Sequence, residues 1–258
     1  MSDYISYKKI PSVLKIEKGD VILLTSDITD LFLQCQENGE IMDVNILLDN
    51  FQEAIGEEGT LLVPTYNWGF CQGKDFDYKK TPSKTGAIGN AALRRKDFTR
   101  TKHPIYSFAV WGKDAVKLAA MDNIESFGPD SPFAYLEQVN AKNVFIGASL
   151  RNSFTYIRYI EQKLGAKYRY SKKFKSHYID QNKVDTVKEY AMYVRDLDLG
   201  VVCAPDPFVD TLYANHIVQH GHINGVPYEV IRFNDVTPFI QEDILHNKSK
   251  NLCRYHGQ

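Results

Sequence analysis

Cysteine is scarce and scattered in this sequence. Its four thiols, Cys35, Cys71, Cys203 and Cys253, show no CxxC spacing, which argues against a disulfide framework and a cysteine-based zinc site. Long apolar runs are missing too: nothing approaches the roughly 20 residues that a membrane span needs. The opening stretch, MSDYISYKKIPSVLKIEKGD, has no apolar signal core, so a cytoplasmic location without a membrane partner is expected. Net charge is almost absent, −1 over 258 residues, which argues against a general nucleic-acid binder. There is no Pro/Ser/Gly-rich linker, repeat or low-complexity tract, and residues 1–258 are expected to form a single domain.

Metal-binding patterns are equally thin. The seven histidines form no HExxH motif, and the nearest cluster, NHIVQHGHING, sets His216 and His220 four residues apart. That spacing suits a metal pair or, the preferred reading, a helix C-terminus with Gly221 as its terminator. No metal is expected.

What the sequence does have is charge gathered in two places. Lys74 to Lys102 carries nine basic residues against three acidic ones, and Arg158 to Lys175 carries seven against one. For any single lysine a solvated face is the ordinary explanation. Two such stretches beside Gly- and Ser-rich loops point to an anionic ligand.

The apolar pattern alternates between strand and helix. GDVILLTSD reads as a buried strand running into a polar loop. DVNILLDNFQEAIG has helical spacing, with Asp43 as N-cap and Gly56 as stop. GTLLVPTYNWGF is a second buried strand ended by Pro64, TPSKTGAIGNAALRRK a turn entering a helix, and SFAVWGK and NVFIGAS further short strands. The expected fold is α/β: a three-layer α/β/α arrangement with a central, mostly parallel or mixed sheet. A C-terminal β-hairpin (SHYIDQNKVDTVKEYAMYVRDLD, turning at DQNKVD) and a helix–strand–helix portion should follow. Ligands of such sheets sit beyond the carboxyl ends of the strands, and those ends carry TSD at 25–27, PTYNW at 64–68 and GASLRNS at 147–153.

NSFTYIRYIEQKLG places Arg158 and Glu161 three residues apart on an expected helix. A solvated pair at that spacing contributes a few tenths of a kcal/mol, about 0.2–0.5. Here Tyr156, Ile157, Tyr159 and Ile160 leave almost no polar face, so the two charges should lie against protein, where each needs a partner or a ligand.

The block GTLLVPTYNWGFCQGKDFDYKKTPSKTGAIGNAALRRKDFTRTKHPIYSFAVWGK resembles the aminoglycoside 3-N-acetyltransferase (antibiotic N-acetyltransferase) family. ESFGPDSPFAYLEQVNAKNVFIGAS and NSFTYIRYIEQKLG do so as well, and the likeness runs from about residue 10 to about residue 245. It implies acyl transfer from acetyl-coenzyme A, without a metal, to the primary amine of an amino sugar or similar small molecule. Ser26, Asp27, Ile28, Thr81, Ser83, Lys84, Gly86, Ser107 and Phe108 stand at the coenzyme positions the resemblance implies. Tyr66, Asp77, Thr155 and Arg158 are candidate acceptor contacts. Hydroxyls ahead of a helix N-terminus suit a pyrophosphate, and the basic residues of 74–102 suit a 3′-phosphate.

One position departs from the family pattern. Acylation needs a neutral amine, and the family supplies a histidine as base three residues before the glutamate. Here that position holds Arg158, whose guanidinium cannot accept a proton. Three readings stay open: a base relocated to His103, Glu161, Asp196 or Asp198; an anionic substrate held by Arg158, such as a nucleotide-linked amino sugar; or a protein that binds without turnover. Tyr106 stands where the family often has a second histidine. Basic motif-bearing segments favour an amino-sugar acceptor in surface polysaccharide biosynthesis over a polycationic drug, with aminoglycoside resistance as a further alternative. An acyl carrier protein is the alternative donor, and the reading admits a homodimer.

Overall fold

The structure is a computed structural model and describes residues 4–258. The first half runs α1 (Ile10–Val13), β1 (Val21–Ser26), α2 (Thr29–Glu37), α3 (Val44–Ile55), β2 (Thr60–Pro64), β3 (Phe76–Asp77), α4 (Ala87–Arg94), β4 (Thr99–Arg100) and β5 (Phe108–Gly112). There follow α5 (Ala115–Ala120), α6 (Pro132–Gln138), β6 (Lys142–Ile146), α7 (Leu150–Ser153), α8 (Ile157–Lys163), β7 (Arg169–Ile179) and β8 (Asp185–Arg195). The chain closes with β9 (Val202–Cys203), α9 (Asp206–Ala214), β10 (Gln219–Ile223), β11 (Val226–Arg232), α10 (Phe233–His246) and β12 (Cys253–Arg254).

The main sheet has the order β10-β11-β6-β1-β2-β5-β4. Only β6, β1 and β2 are mutually parallel; β5, β4, β11 and β10 run antiparallel to their neighbours. The sheet is therefore mixed, flanked by helices on both faces as expected for the α/β class. Strand alternation sends Leu23, Leu62, Phe108 and Phe145 to the face covered by α6, α8, α9 and α10. Ile22, Leu24, Leu61 and Val63 go to the face covered by α2, α3 and α4. Both sets are buried, which is why β1 and β2 read as continuous apolar runs rather than alternating ones.

Asp43 caps α3 by accepting from the Asn45 N–H, and Gly56 ends that helix at φ 65°. The hairpin pairs β7 with β8 from Arg169↔Arg195 to Ile179↔Asp185 and forms a separate three-stranded sheet with β3, which pairs in parallel with the end of β7 at Tyr178 and Ile179. It is docked at mid-length by Ala191, which bonds the Ile124 carbonyl and the Ser126 amide, and toward its turn by Tyr178 and Tyr190 packed against Phe70, Phe76 and Ile105.

The stretch around His216 and His220 departs from expectation. Helix α9 stops at Ala214, and His220 and Gly221 belong to β10, paired with β11. The cause is the Asn224-Gly225 turn, with φ of 50° and 84°, a two-residue hairpin turn that supplies a strand partner to what looks locally like a helix end. Among the described residues no His/Cys/Asp/Glu group is arranged to hold a metal, and no helix is long and apolar enough to cross a membrane.

Candidate functional site

Strand pairing opens the site. β1 pairs with β2 only from Val21↔Thr60 to Leu23↔Leu62, but with β6 as far as Ser26↔Ile146. Past Leu23 the strands β1 and β2 part, and Leu24 and Val63 form the floor of a cleft of about 290 Å³ at the strands' carboxyl ends. This is the crossover point of the sheet, where the chain turns from building toward β2 to building toward β6, and such points are where open α/β sheets bind ligands.

The three strand-end loops expected to meet a ligand do converge there. Ser26 and Asp27 follow β1, Tyr66 and Trp68 follow β2, and Ala148, Asn152 and Ser153 follow β6. The approach is close. Gly147 sits at φ 64°, and a Cβ added to it would lie 2.0 Å from the Asp27 carbonyl oxygen. Only glycine combines that backbone conformation with that contact. Gly89 of α4 likewise packs on the end of β2, where a Cβ would meet the Pro64 carbonyl at 2.6 Å. Thr85 lines the cleft and donates to the same Pro64 carbonyl at 2.8 Å. Sequence reasoning missed Thr85 and Gly89, although both lie within the quoted TPSKTGAIGN.

Two further clefts adjoin the first and share its walls. One, of about 190 Å³, lies between α7, the start of α8 and the Cys203–Pro205 segment; it shares Asn152, Ser153 and Thr155 with the strand-end cleft. The other, of about 360 Å³, is bounded by the hairpin and shares Trp68 and Tyr106 with the strand-end cleft. Tyr106 borders all three, and Arg158 borders the second and third. Each cleft alone is near or below the low end of ligand pockets, roughly 300–1,000 Å³; sharing walls, they offer room for two substrates meeting near Tyr106. The Tyr106 ring is fixed edge-on to Tyr66 at 4.7 Å and against Phe127 at 4.8 Å. Burial raises its phenol pKa, so it stands as a neutral hydroxyl.

Arg158 and Glu161 belong to a buried charge cluster. Arg158 Nη1 donates to Glu161 Oε1 and Oε2 at 3.0 and 2.8 Å, and Nη2 reaches the Cys203 sulfur at 3.2 Å. Tyr168 donates its hydroxyl to Glu161 Oε1 at 2.9 Å. Arg169 Nε lies 2.7 Å from Glu161 Oε2 without the alignment of a hydrogen bond. The Glu161 side chain is 0% exposed, that of Arg169 4%, and that of Arg158 25%. Burial works against the charge on Arg158, but Glu161 more than compensates, and the guanidinium pKa is raised. Two cations thus share one carboxylate at the cleft floor.

Several sequence-predicted residues stand elsewhere. His103 is 1% exposed; its Nδ1 accepts from the Ile105 and Tyr106 amides and its Nε2 faces the Ile124 carbonyl and the Ser126 hydroxyl. Burial lowers its pKa to about 4. It is a neutral ring bracing a loop, with no opening onto the clefts. Asp196 accepts from the Asp198 amide and Asp77 from the amides of Lys79 and Lys80; both are turn caps. Ser107 is fully buried between Arg100 and Thr65, and Phe108 is core. Thr81 accepts from the Asp77 amide and Ser83 bonds Thr85, so both hold the loop that presents Thr85. Lys84 is exposed, Ile28 precedes α2, and Gly86 starts α4 beside the Ser26 carbonyl. Ser26, Asp27, Tyr66, Thr155 and Arg158 are the predicted residues that line the clefts.

No histidine and no glutamate borders the three clefts, and their one carboxylate, Asp27, is on the strand-end cleft. The relocated bases considered from sequence are thus absent from the meeting point: His103 is enclosed, Glu161 is held under two guanidiniums, and Asp196 caps a turn.

The same architecture recurs in solved structures of low sequence identity. Aminoglycoside acetyltransferase AAC(3)-Xa superposes with a TM-score of 0.76 at 18% identity, covering 93% of each chain. The YokD protein from Bacillus subtilis gives 0.75 at 18% over 97% of each chain. AAC-IIIb, solved as a binary complex with CoASH, gives 0.73 at 16% over 98% of this chain and 97% of its own. The family model for aminoglycoside 3-N-acetyltransferase matches residues 36–244, a span that holds β2, β6, the hairpin and every residue lining the three clefts except those from Leu23 to Asp27 and Leu252. This chain belongs to the aminoglycoside 3-N-acetyltransferase family.

Proposed function

We propose that the protein transfers an acetyl group from acetyl-coenzyme A to the primary amine of an amino sugar, in the biosynthesis of surface polysaccharide. One observation carries the reading: the strand-end cleft shares Trp68 and Tyr106 with a cleft under the hairpin, so that a thioester in one would meet an amine in the other. Ser26, Thr85, Asn152 and Ser153 offer uncharged polar contacts along the donor side. Family membership, and the CoASH bound to AAC-IIIb, support the choice of donor.

In the reaction the amine lone pair attacks the thioester carbonyl, the N–C bond forms and the C–S bond breaks. The amine proton leaves to solvent or to the departing thiolate. Without an imidazole at the meeting point the protein recruits the fraction of amine that is already neutral, so rate should follow the acceptor's own ionisation. Thiol release from acetyl-coenzyme A, measured with an amino sugar from about pH 6 to 9, is expected to rise until the acceptor's pKa. Arg158→His should flatten that rise by restoring a base. If acetyl-coenzyme A gives neither thermal stabilisation nor thiol release, the reading is wrong.

A second reading, coenzyme binding without turnover, is favoured by Arg158 at the position of the family's histidine. It predicts stabilisation by acetyl-coenzyme A and no thiol release at any pH. Acetylation of an aminoglycoside, the activity named for several structural neighbours, is disfavoured by the cations around the acceptor cleft.

A further inference from the structure

We infer that the acceptor carries a phosphate, and that Arg169, Lys172 and Arg195 select it. The inference rests on the acetyl-transfer reading above and deepens it by naming the acceptor's class.

The cleft under the hairpin is bordered by four cations, Arg158, Arg169, Lys172 and Arg195, and by no aspartate or glutamate. Glu161 behind the floor offsets one of those charges, leaving the cleft strongly positive. A polycationic acceptor would meet like charges there and be repelled.

The hydrogen-bonding state of the cations points the same way. Arg169 is more than nine-tenths buried and lines the cleft. Its Nε faces Glu161 Oε2 at 2.7 Å without the alignment of a hydrogen bond, while its Nη1 reaches the Tyr193 carbonyl at only 3.4 Å and its Nη2 the Cys203 sulfur at 3.7 Å, so the outer fork is weakly used. A buried guanidinium with that much unused donor capacity is costly unless an acceptor arrives. A phosphate is the group whose geometry suits its fork. Lys172 and Arg195 have no carboxylate partner among the described residues, whereas Lys173 is paired with Glu189 at 2.9 Å. On one strand, then, the lysine beside the cleft is left unpaired and its neighbour is neutralised.

The remaining wall is aromatic. Trp68, Tyr106, Phe127 and Phe174 border the same space, offering faces to a sugar ring or a nucleobase. A phosphorylated amino sugar and a nucleotide-linked one share the chemistry the cations recognise, and the aromatic wall would add affinity for the second.

The test is equilibrium binding to the full chain of four probes: glucosamine, glucosamine 1-phosphate, UDP-glucosamine and kanamycin. The two phosphorylated probes should bind at least about tenfold more tightly than glucosamine, with affinity falling as salt rises. Kanamycin should bind more weakly than either. The double variant Lys172→Glu/Arg195→Glu lies on the exposed hairpin and should fold. It should erase the preference for phosphate while leaving stabilisation by acetyl-coenzyme A intact. Tighter binding of UDP-glucosamine than of glucosamine 1-phosphate assigns the aromatic wall to a base; equal binding assigns recognition to phosphate alone. Kanamycin binding as tightly as the phosphorylated probes, or a phosphate preference that survives the double variant, overturns the inference. Failure of acetyl-coenzyme A to stabilise the wild type, with phosphate preference intact, overturns the acetyl-transfer reading instead.

Discussion

The two clefts that meet at Tyr106 are built by different means. The strand-end cleft is made by consecutive loops of a regular sheet. Its polar groups are mostly hydroxyls and amides, and its one charge is Asp27. The hairpin cleft is assembled from α8, the open end of the hairpin (the start of β7 and the end of β8) and the loop at Phe127, and its charge is wholly positive. The first follows from strand order alone, whereas hairpin side chains can be replaced without disturbing that order.

The contrast can be broken most severely at Glu161. Glu161→Gln leaves Arg158 and Arg169 without their shared counter-charge, and chemical denaturation should report a loss of about 3–5 kcal/mol, the usual consequence of stripping one partner from a buried ionic group. A loss under about 1 kcal/mol would mean that the cluster behaves as a solvated ion pair.

His103 braces the loop on which the hairpin docks, and its effect depends on pH. Its folded pKa, near 4, lies below the ordinary value of 6.5. The unfolded chain therefore binds the proton first, and the contribution is full above pH 6.5 and lost as pH falls toward 4. The pKa difference corresponds to about 3 kcal/mol. Comparing wild type with His103→Gln across that range should show wild-type stability falling more steeply. Parallel curves would mean the ring is protonated in the folded state.

The smallest effect is expected on the donor side. Ser26→Ala removes one hydroxyl from the strand-end cleft and should weaken acetyl-coenzyme A binding by about 1 kcal/mol, roughly fivefold. Phosphate binding under the hairpin should not move. Equal weakening of both ligands would erase the distinction between the clefts.

The loops that form the strand-end cleft were legible in the sequence. TSD, PTYNW and GASLRNS each follow a compact apolar run, and a strand's carboxyl end is where an α/β sheet presents ligand contacts. Locally generated features, such as the Asp43 cap and the DQNKVD turn, were readable because their causes lie within four or five residues. The His216–Gly221 stretch was misread because its strand partner comes from β11, though Asn224-Gly225 was a visible hairpin signal. His103, Asp77 and Asp196 looked reactive because carboxylates and imidazoles carry the same letters whether they cap a turn or meet a substrate.

By itself, the sequence determined the layer order, the strands whose tips carry polar residues, and a charged pair at Arg158 and Glu161 set among apolar neighbours. All three follow from periodicity and from the cost of burying polar groups, which act over short spans of chain. Only the tertiary structure decided that Arg169 of β7 shares Glu161 with Arg158, and that Lys172 and Arg195 line the same cleft. Those meetings are fixed by how the hairpin docks against α8, and charge acts across space without leaving a pattern along the chain.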